Sequence, residues 1–229
     1  MKRIVQPEWL DTLPPDNPRA IHSRRDLRRV NRAMRHPEIM AGTLRSTRAG
    51  HRPKKITELG AGDGDFLLSL AQRMLGGQPV TMATLLDLQD NVSAGTLADF
   101  AALGWQAEVV IADAFDWSPP PGSDGVVIAN LFLHHFEDAR LAGLLGRIAR
   151  HADLFIALEP RRAAWPLFCS HLLWGIGCND VTRHDAVISV KAGFNGHELS
   201  ALWSDRIDWR LTERPAGAFS HLFIAQRNP

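Results

Sequence analysis

Tyrosine is absent from the 229 residues, and cysteine occurs only twice, at Cys169 and Cys178. The first absence removes a phenol as acid, base or nucleophile anywhere in the chain. Two cysteines nine residues apart build no disulfide framework and point to a reducing compartment. Zinc would need more ligands. His171, Asp180 and His184 lie nearby, but no Cys-x-x-Cys or His-x-x-x-His spacing occurs, so no metal is expected. There is no apolar run of the roughly 18 residues a membrane span needs. Met1-Lys2-Arg3-Ile4-Val5-Gln6-Pro7-Glu8 lacks the apolar core of a secretory leader. The expected location is therefore cytoplasmic.

Excess charge is also scarce, at net +1, yet it is unevenly spread. Residues 1–55 carry 14 Lys and Arg against 5 Asp and Glu, whereas the remainder carries 12 against 20. A basic arm on a mildly acidic body suits either nucleic acid or the wet face of an amphipathic helix. Arg24, Arg25, Arg28, Arg29 and Arg32 have the spacing of such a face, opposite Ile21, Leu27, Val30 and Met34. A helix is expected from about Asn17 to Arg35, after an irregular proline-rich stretch, with a second short one from Pro37 to Thr47.

From residue 54 onward strand-like and helical patterns alternate. Strands are expected at Lys55–Leu59, Val80–Asp87, Ala107–Ala112, Asp124–Asn130 and Leu154–Leu158, with helices at Asp65–Leu75, Asn91–Leu103 and Glu137–Arg150. Successive strand-then-helix units imply a parallel sheet covered on both faces. The end differs. Ile207–Glu213 and Ser220–Gln226 read as two strands joined by the turn Arg214-Pro215-Ala216-Gly217, and should pair antiparallel.

The chemistry concentrates at Glu58-Leu59-Gly60-Ala61-Gly62-Asp63-Gly64-Asp65, between the first strand and its helix. Glycines let the backbone turn tightly and let a ligand approach it, and the helix start offers unpaired N–H groups. A dinucleotide fingerprint would place glycine where Asp65 stands, which disfavours a nicotinamide oxidoreductase. Glu58 is awkward beside a pyrophosphate but suits a cationic amino-acid group or its surrounding water. Asp87, at the tip of the second strand, is placed to accept hydrogen bonds from a ribose diol. Such a ligand is a positively charged nucleoside without phosphate, and S-adenosylmethionine has that chemistry.

These motifs resemble those of class I S-adenosylmethionine-dependent methyltransferases, of the small-molecule kind that includes ubiquinone-biosynthesis-like and polyketide or phenolic O-methyltransferases. The resemblance runs in order from about residue 54 to the C-terminus. It implies an α/β, Rossmann-like, doubly wound sheet of seven strands in the order 3-2-1-4-5-7-6, with the last strand antiparallel. It assigns cofactor contacts to Glu58, Gly60, Ala61, Gly62, Gly64, Asp87 and Leu88, and matches Asp113 and Ala114 to the stretch that meets the adenine amine. Asp113 also suits a turn-forming role. Asn130 closes the fourth strand at the same edge. S-adenosylhomocysteine would be the product.

Residues 1–53 are expected to form a helical lid, and residues 54–229 the catalytic domain. Within that domain, 161–205 is expected to form a substrate cap whose Trp165, Phe168, Trp174, Phe194 and Trp203 line an aromatic pocket. A hydroxyl acceptor benefits from a base near neutrality. His134 and His135 follow strand four and are candidates, though such a pair also serves simply to pack or to hold cofactor. His184 is a second candidate; its neighbour Asp185 is expected to point away. The acceptor read from these features is a small phenolic, polyketide-like or lipid-like molecule. RNA methylation is the alternative suggested by the basic arm, although Asn130-Leu131-Phe132 lacks the Pro-Pro-aromatic pattern of base-amine methylation. A non-catalytic protein of the same fold is the remaining reading.

Overall fold

The computed structural model describes residues 1–14, 16–47, 53–74, 82–118, 125–204 and 207–228. One seven-stranded sheet, in the order β3-β2-β1-β4-β5-β7-β6, organises them. Its strands are β1 Lys55–Leu59, β2 Met82–Asp87, β3 Gln106–Ile111, β4 Gly125–Asn130, β5 Leu154–Pro160, β6 Trp209–Ala216 and β7 Ser220–Arg227. The first five run parallel, and β7 lies antiparallel to both β5 and β6. This is the expected topology. The expected start of the second strand at Val80 falls outside the described residues.

Burial explains the order. Every residue of β4 and β5 is buried, as in central strands covered on both faces. β3, at one edge, has no fully buried residue. Alternate side chains serve two apolar layers. Ile156 and Leu158 face α3 (His36–Thr47), α4 (Asp65–Arg73) and α5 (Ala94–Ala102), while Phe155 and Ala157 face α6 (Asp138–His151) and the buried Trp203. The terminal hairpin is longer than its sequence suggests. Arg214, Pro215 and Ala216 belong to β6, and the turn follows at Gly217. Proline survives there because β6 is the other edge strand, with one side of its backbone free of ladder bonds.

The N-terminal segment is less irregular than its prolines imply. Trp9–Thr12 forms a helical turn, α1, whose Trp9 and Leu10 N–H groups donate to the Asp185 carboxylate. Asp185 lies on α8 (Asp180–Ala192). α2 (Pro18–Ala33) starts with Pro18 after an Asn17 cap. The side of α2 that packs is small and polar. Ala20, Ser23 and Asp26 are buried, and Asp26 accepts from the Asn179 N–H and the Thr182 hydroxyl at the start of α8. The apolar stripe Leu27, Val30 and Met34 therefore faces a cavity above the sheet instead of a core.

Candidate active site

The cavity, about 530 Å³, opens over the carboxyl ends of β1, β2 and β4, where ligands of open parallel sheets bind. At its floor Gly60 and Gly62 have φ of +68° and +57°, which other residues rarely adopt. Gly64, at +76°, does not line the cavity, and a Cβ there would meet the side chains of Leu85 and Thr96, so it shapes the turn and not the ligand surface. Gly60 is needed twice over. A Cβ there would sit 2.2 Å from the Phe132 ring. At Gly62 a Cβ would meet nothing, so the backbone lies bare towards the cavity.

β2 ties this turn in place. Ala61 N–H donates to the Leu86 carbonyl (3.0 Å), and the Asp87 carboxylate accepts from Gly62 N–H (2.8 Å) and Gln89 N–H (2.9 Å). A carboxylate has about four lone-pair sites, so Asp87 keeps acceptor capacity towards the cavity it lines. Leu88, Asp113 and Ala114 line the same end. Asp113 also accepts from Phe115 N–H, as a turn-forming aspartate does.

Glu58 is buried beneath the turn, lines the cavity, and leaves Oε2 without a hydrogen-bond partner. Burial, with the nearby charges of Asp63, Asp87 and Asp65, pushes its carboxyl well above the usual range. Arg28 pairs with Asp63 (2.7 Å) and, with Arg32, its charge favours the Asp65 carboxylate, while no hydrogen bond reaches Glu58 Oε2. An unpartnered buried carboxyl amid other acids fits a cationic ligand and would repel a phosphate.

The wall after β4 is built by Glu159, which the sequence reading did not place in the site. Leu131 takes the strained positive φ of +53°, and a 3₁₀ turn follows at Leu133–His135. Glu159, fully buried on β5, accepts from the N–H groups of Phe132 (3.1 Å) and Leu133 (2.8 Å) and from the His134 ring (2.8 Å). The other ring nitrogen of His134 meets Glu8 at 3.3 Å. Burial opposes charge on His134, but the hydrogen bonds with Glu159 and Glu8 outweigh it and raise the imidazole to about 9. Burial likewise opposes the Glu8 carboxylate, yet hydrogen bonding to His134, with the charges of His135 and His134, holds it at about 2. His134 is thus an imidazolium clamped between two carboxylates. It has no lone pair for a substrate proton, which removes it from the candidate bases. Glu8, His134 and His135 bring ligand-type atoms within 4.8 Å of one another, with His134 Nδ1 on Glu159 and Nε2 facing Glu8.

His135 differs. It lines the cavity, is partly exposed, sets Nδ1 3.2 Å from the Asp11 carboxylate of α1, and packs its ring 4.3 Å from that of His134. His184 lies outside the cavity. It stacks on Trp9 at 3.7 Å, and its Nδ1 meets Asp185 at 2.8 Å. The two adjacent side chains therefore do converge, contrary to expectation, but on the Trp9 side of α8. Asn130 lines the cavity and its Oδ1 accepts from His36 Nδ1 at 2.6 Å. Ser220 Oγ occupies the other His36 nitrogen, also at 2.6 Å. Burial lowers His36 to about 4, so a neutral ring turns the Asn130 amide N–H₂ group away from itself. Neither His36 nor Glu8 was legible as part of the site, because each meets its partner across more than 90 residues.

The roof is the N-terminal segment with α2 and α8. Arg3 donates to the carbonyls of Ala192, His134 and Phe136 and pairs with Asp138, strapping the first residues across the wall. Within the basic arm Arg19 pairs with Asp180, Arg28 with Asp63 and Arg29 with Asp26, each arginine at the surface of the fold. The aromatic lining expected of residues 161–205 is not found. Trp165, Phe168 and Trp174 are exposed, and Phe194 and Trp203 are in the core. From that segment α8 supplies Ala186, Ser189 and Val190 to the cavity, whose rings are Phe66, Phe132 and Phe136.

Comparison with known proteins places this geometry. Residues 56–153 match the model of a family described as a methyltransferase domain. No curated protein sequence matches. Among solved structures, the plantazolicin methyltransferase BpumL with S-adenosylhomocysteine superposes with a TM-score of 0.64 at 13% identity, covering 93% of this chain and 92% of its own. An O-methyltransferase family protein from Burkholderia thailandensis gives 0.60 at 17% identity, over 93% of this chain and 61% of that one. Magnesium protoporphyrin IX methyltransferase from Synechocystis PCC 6803 with S-adenosylmethionine gives 0.57 at 13%, over 86% and 80%. At these identities the likeness is one of fold.

Proposed function

We propose, from the premise that this chain is a class I S-adenosylmethionine-dependent methyltransferase, that it methylates a hydroxyl on a small phenolic, polyketide-like or lipid-like acceptor. The observation that carries the acceptor class is one wall of the cavity. Leu10, Leu27, Val30, Met34, Phe132 and Phe136 make an apolar compartment, and His135 backed by Asp11 is the polar pair at its edge. That is the composition of a site for a largely apolar molecule with one reacting oxygen.

S-adenosylmethionine, when bound, would supply an electrophilic methyl carbon: the acceptor oxygen forms a bond to it in line as the carbon–sulfur bond breaks, and the electron pair leaves with S-adenosylhomocysteine. Gly60, Ala61 and Gly62 would bring backbone to that cofactor, Glu58 would meet its cationic part, and Asp87 would take the ribose diol. Leu88, Asp113 and Ala114 would border the adenine. Asn130 presents its amide N–H₂ where the chemistry occurs. His135, whose Nδ1 lies 3.2 Å from the Asp11 carboxylate, would offer Nε2 to the acceptor proton. His134 positions the wall and takes no proton from substrate. The first residues strapped by Arg3, α2 and α8 close the compartment against water.

Two measurements test this. Calorimetry with S-adenosylhomocysteine should detect tight binding, weakened about tenfold by Asp87→Asn, which trades a charged acceptor for a neutral one. Unchanged affinity would remove Asp87 from the ribose. His135→Ala should slow turnover of a hydroxyl acceptor about a hundredfold, the usual worth of a positioned base, with cofactor affinity unaltered. Near-normal turnover would show that the acceptor reacts without His135.

A further inference from the structure

The region expected to cap the substrate carries an exposed apolar face that the methylation reading does not use. Residues 163–178 contain no Asp, Glu, Lys or Arg. They form α7 (Ala164–Ser170) and a 3₁₀ turn at Leu173–Ile176. Trp165, Phe168, Leu172, Trp174 and Ile176 are each between 47% and 65% exposed. Trp165, Phe168 and Leu172 recur at helical spacing, and the rings of Trp165 and Phe168 stack at 5.9 Å. α7 turns Pro166 and Ser170 inward and packs on α8, which supplies Ala186, Ser189 and Val190 to the cavity, whereas no residue of α7 lines it. The exposed rings therefore lie on the outside of the active-site roof. Bare tryptophan and phenylalanine in such density mark an interaction surface.

Charge around the patch indicates its occupant. Ile21 and Arg25 of α2 share a surface groove with Arg29, and Arg29 donates to the Ile176 carbonyl (2.9 Å) at the end of the apolar run. Arg29 and Arg183 both act electrostatically on Cys178, the next buried residue. Arg25 and Arg183 are exposed. Among the described residues nearby, Asp26 is buried, bonded to α8 and paired with Arg29, and Asp180 is paired with Arg19, which leaves Arg25 and Arg183 as the outward charges. Tryptophans with flanking arginines match the boundary between anionic headgroups and acyl chains, where amphipathic rings settle and cations gain from surface charge. We infer that α7 and the following 3₁₀ turn dock this enzyme on the surface of an anionic lipid bilayer, with Trp165, Phe168 and Trp174 inserted and Arg25 and Arg183 on the headgroups. No helix among the described residues is long and apolar enough to cross a membrane, so the contact is peripheral. The inference rests on the outer face alone and does not depend on which acceptor the cavity takes.

The test uses the purified full chain with vesicles of phosphatidylcholine, alone or with about one quarter phosphatidylglycerol, read by co-sedimentation and tryptophan emission. Binding to the anionic vesicles should exceed binding to neutral ones at least about tenfold, with a blue-shifted emission, and should weaken with salt. W165S/F168S/W174S should lose at least about tenfold in binding while keeping its melting temperature and its heat with S-adenosylhomocysteine. R25E/R183E should lose the preference for anionic vesicles. If the triple variant misfolds, quenching of wild-type emission by brominated acyl chains, reduced in W165F/W174F, supplies the same answer. A wild-type chain that sediments with neither vesicle overturns the inference. So does a dimer that W165S/F168S/W174S converts to monomer, which would make the face a contact between copies.

Discussion

Glu159→Leu should destabilise the protein by about 3–5 kcal/mol, the cost of removing one member of a buried ion pair. The carboxylate is fully buried, and it alone answers the N–H groups of Phe132 and Leu133 and the inner nitrogen of the His134 ring. Leucine fills the space and leaves these donors without an acceptor. For a chain of this size the loss corresponds to a fall of roughly 6–20 °C in melting temperature. Burial disfavours the Glu159 charge, but its hydrogen bond with His134 keeps the carboxylate below its usual range. The pH dependence follows from the partners. His134 is raised to about 9, so its contribution is whole below its unfolded value near 6.5 and is lost as pH climbs through about 9. Glu8, held at about 2, contributes fully above its unfolded value near 4.5 and loses that only as pH falls through about 2. Wild-type stability should therefore decline between about pH 6.5 and 9, and the variant's should be flatter there. Melting curves across that interval decide the matter. A variant within the scatter of wild type, with the same slope, would show that the clamp holds nothing.

The contrast between this clamp and the glycine turn explains what could be read from the chain. The turn is local. Three backbone positions with positive φ write themselves as Gly60, Gly62 and Gly64, and the carboxylate that ties them ends the next strand, at Asp87. Likewise β4 and β5 appear as unbroken apolar runs because both faces are covered. The clamp is non-local. Glu8, His134 and Glu159 come from the N-terminal strap, a 3₁₀ turn and a central strand, and nothing in the spacing of a lone Glu or His announces a partner more than a hundred residues away. His36 is hidden in the same manner, as the first residue of a short helix that reaches under the sheet edge to Asn130. Aromatic content misled for another reason. Periodicity at Trp165, Phe168 and Leu172 marks one side of a helix, but the same pattern serves a pocket, a core or an outer surface, and only packing against α8 distinguishes them.

Glu58→Gln should move stability and ligand affinity in opposite directions. In the free protein Glu58 is buried, its Oε2 lacks a partner, and burial with the charges of Asp63, Asp87 and Asp65 raises its pKa well above 4.5. A raised folded-state value means that a contribution present below the unfolded pKa disappears as pH rises through the folded one. At neutral and alkaline pH the wild type thus bears the cost of either a charge in a dry place or a proton held against solution. Glutamine keeps an oxygen for the Leu67 N–H that Glu58 now engages and removes that cost. The ligand-free variant should melt higher than wild type above pH 7. A cation seated against Glu58 reverses the balance, because its charge favours the ionised carboxylate. Losing a buried partner of that kind should weaken binding about 10²–10³-fold. Wild-type affinity should also rise with pH, with protons released on binding that calorimetry in buffers of different ionisation enthalpy can count. S-adenosylhomocysteine keeps the ammonium and lacks the sulfonium. Equal weakening of both ligands by Glu58→Gln places Glu58 against the amino-acid end, and weakening of S-adenosylmethionine alone places it against sulfur. A variant that melts lower and binds both ligands as wild type does would show that Glu58 is an ordinary structural acid, and the cationic reading of this end of the cavity would fall with it.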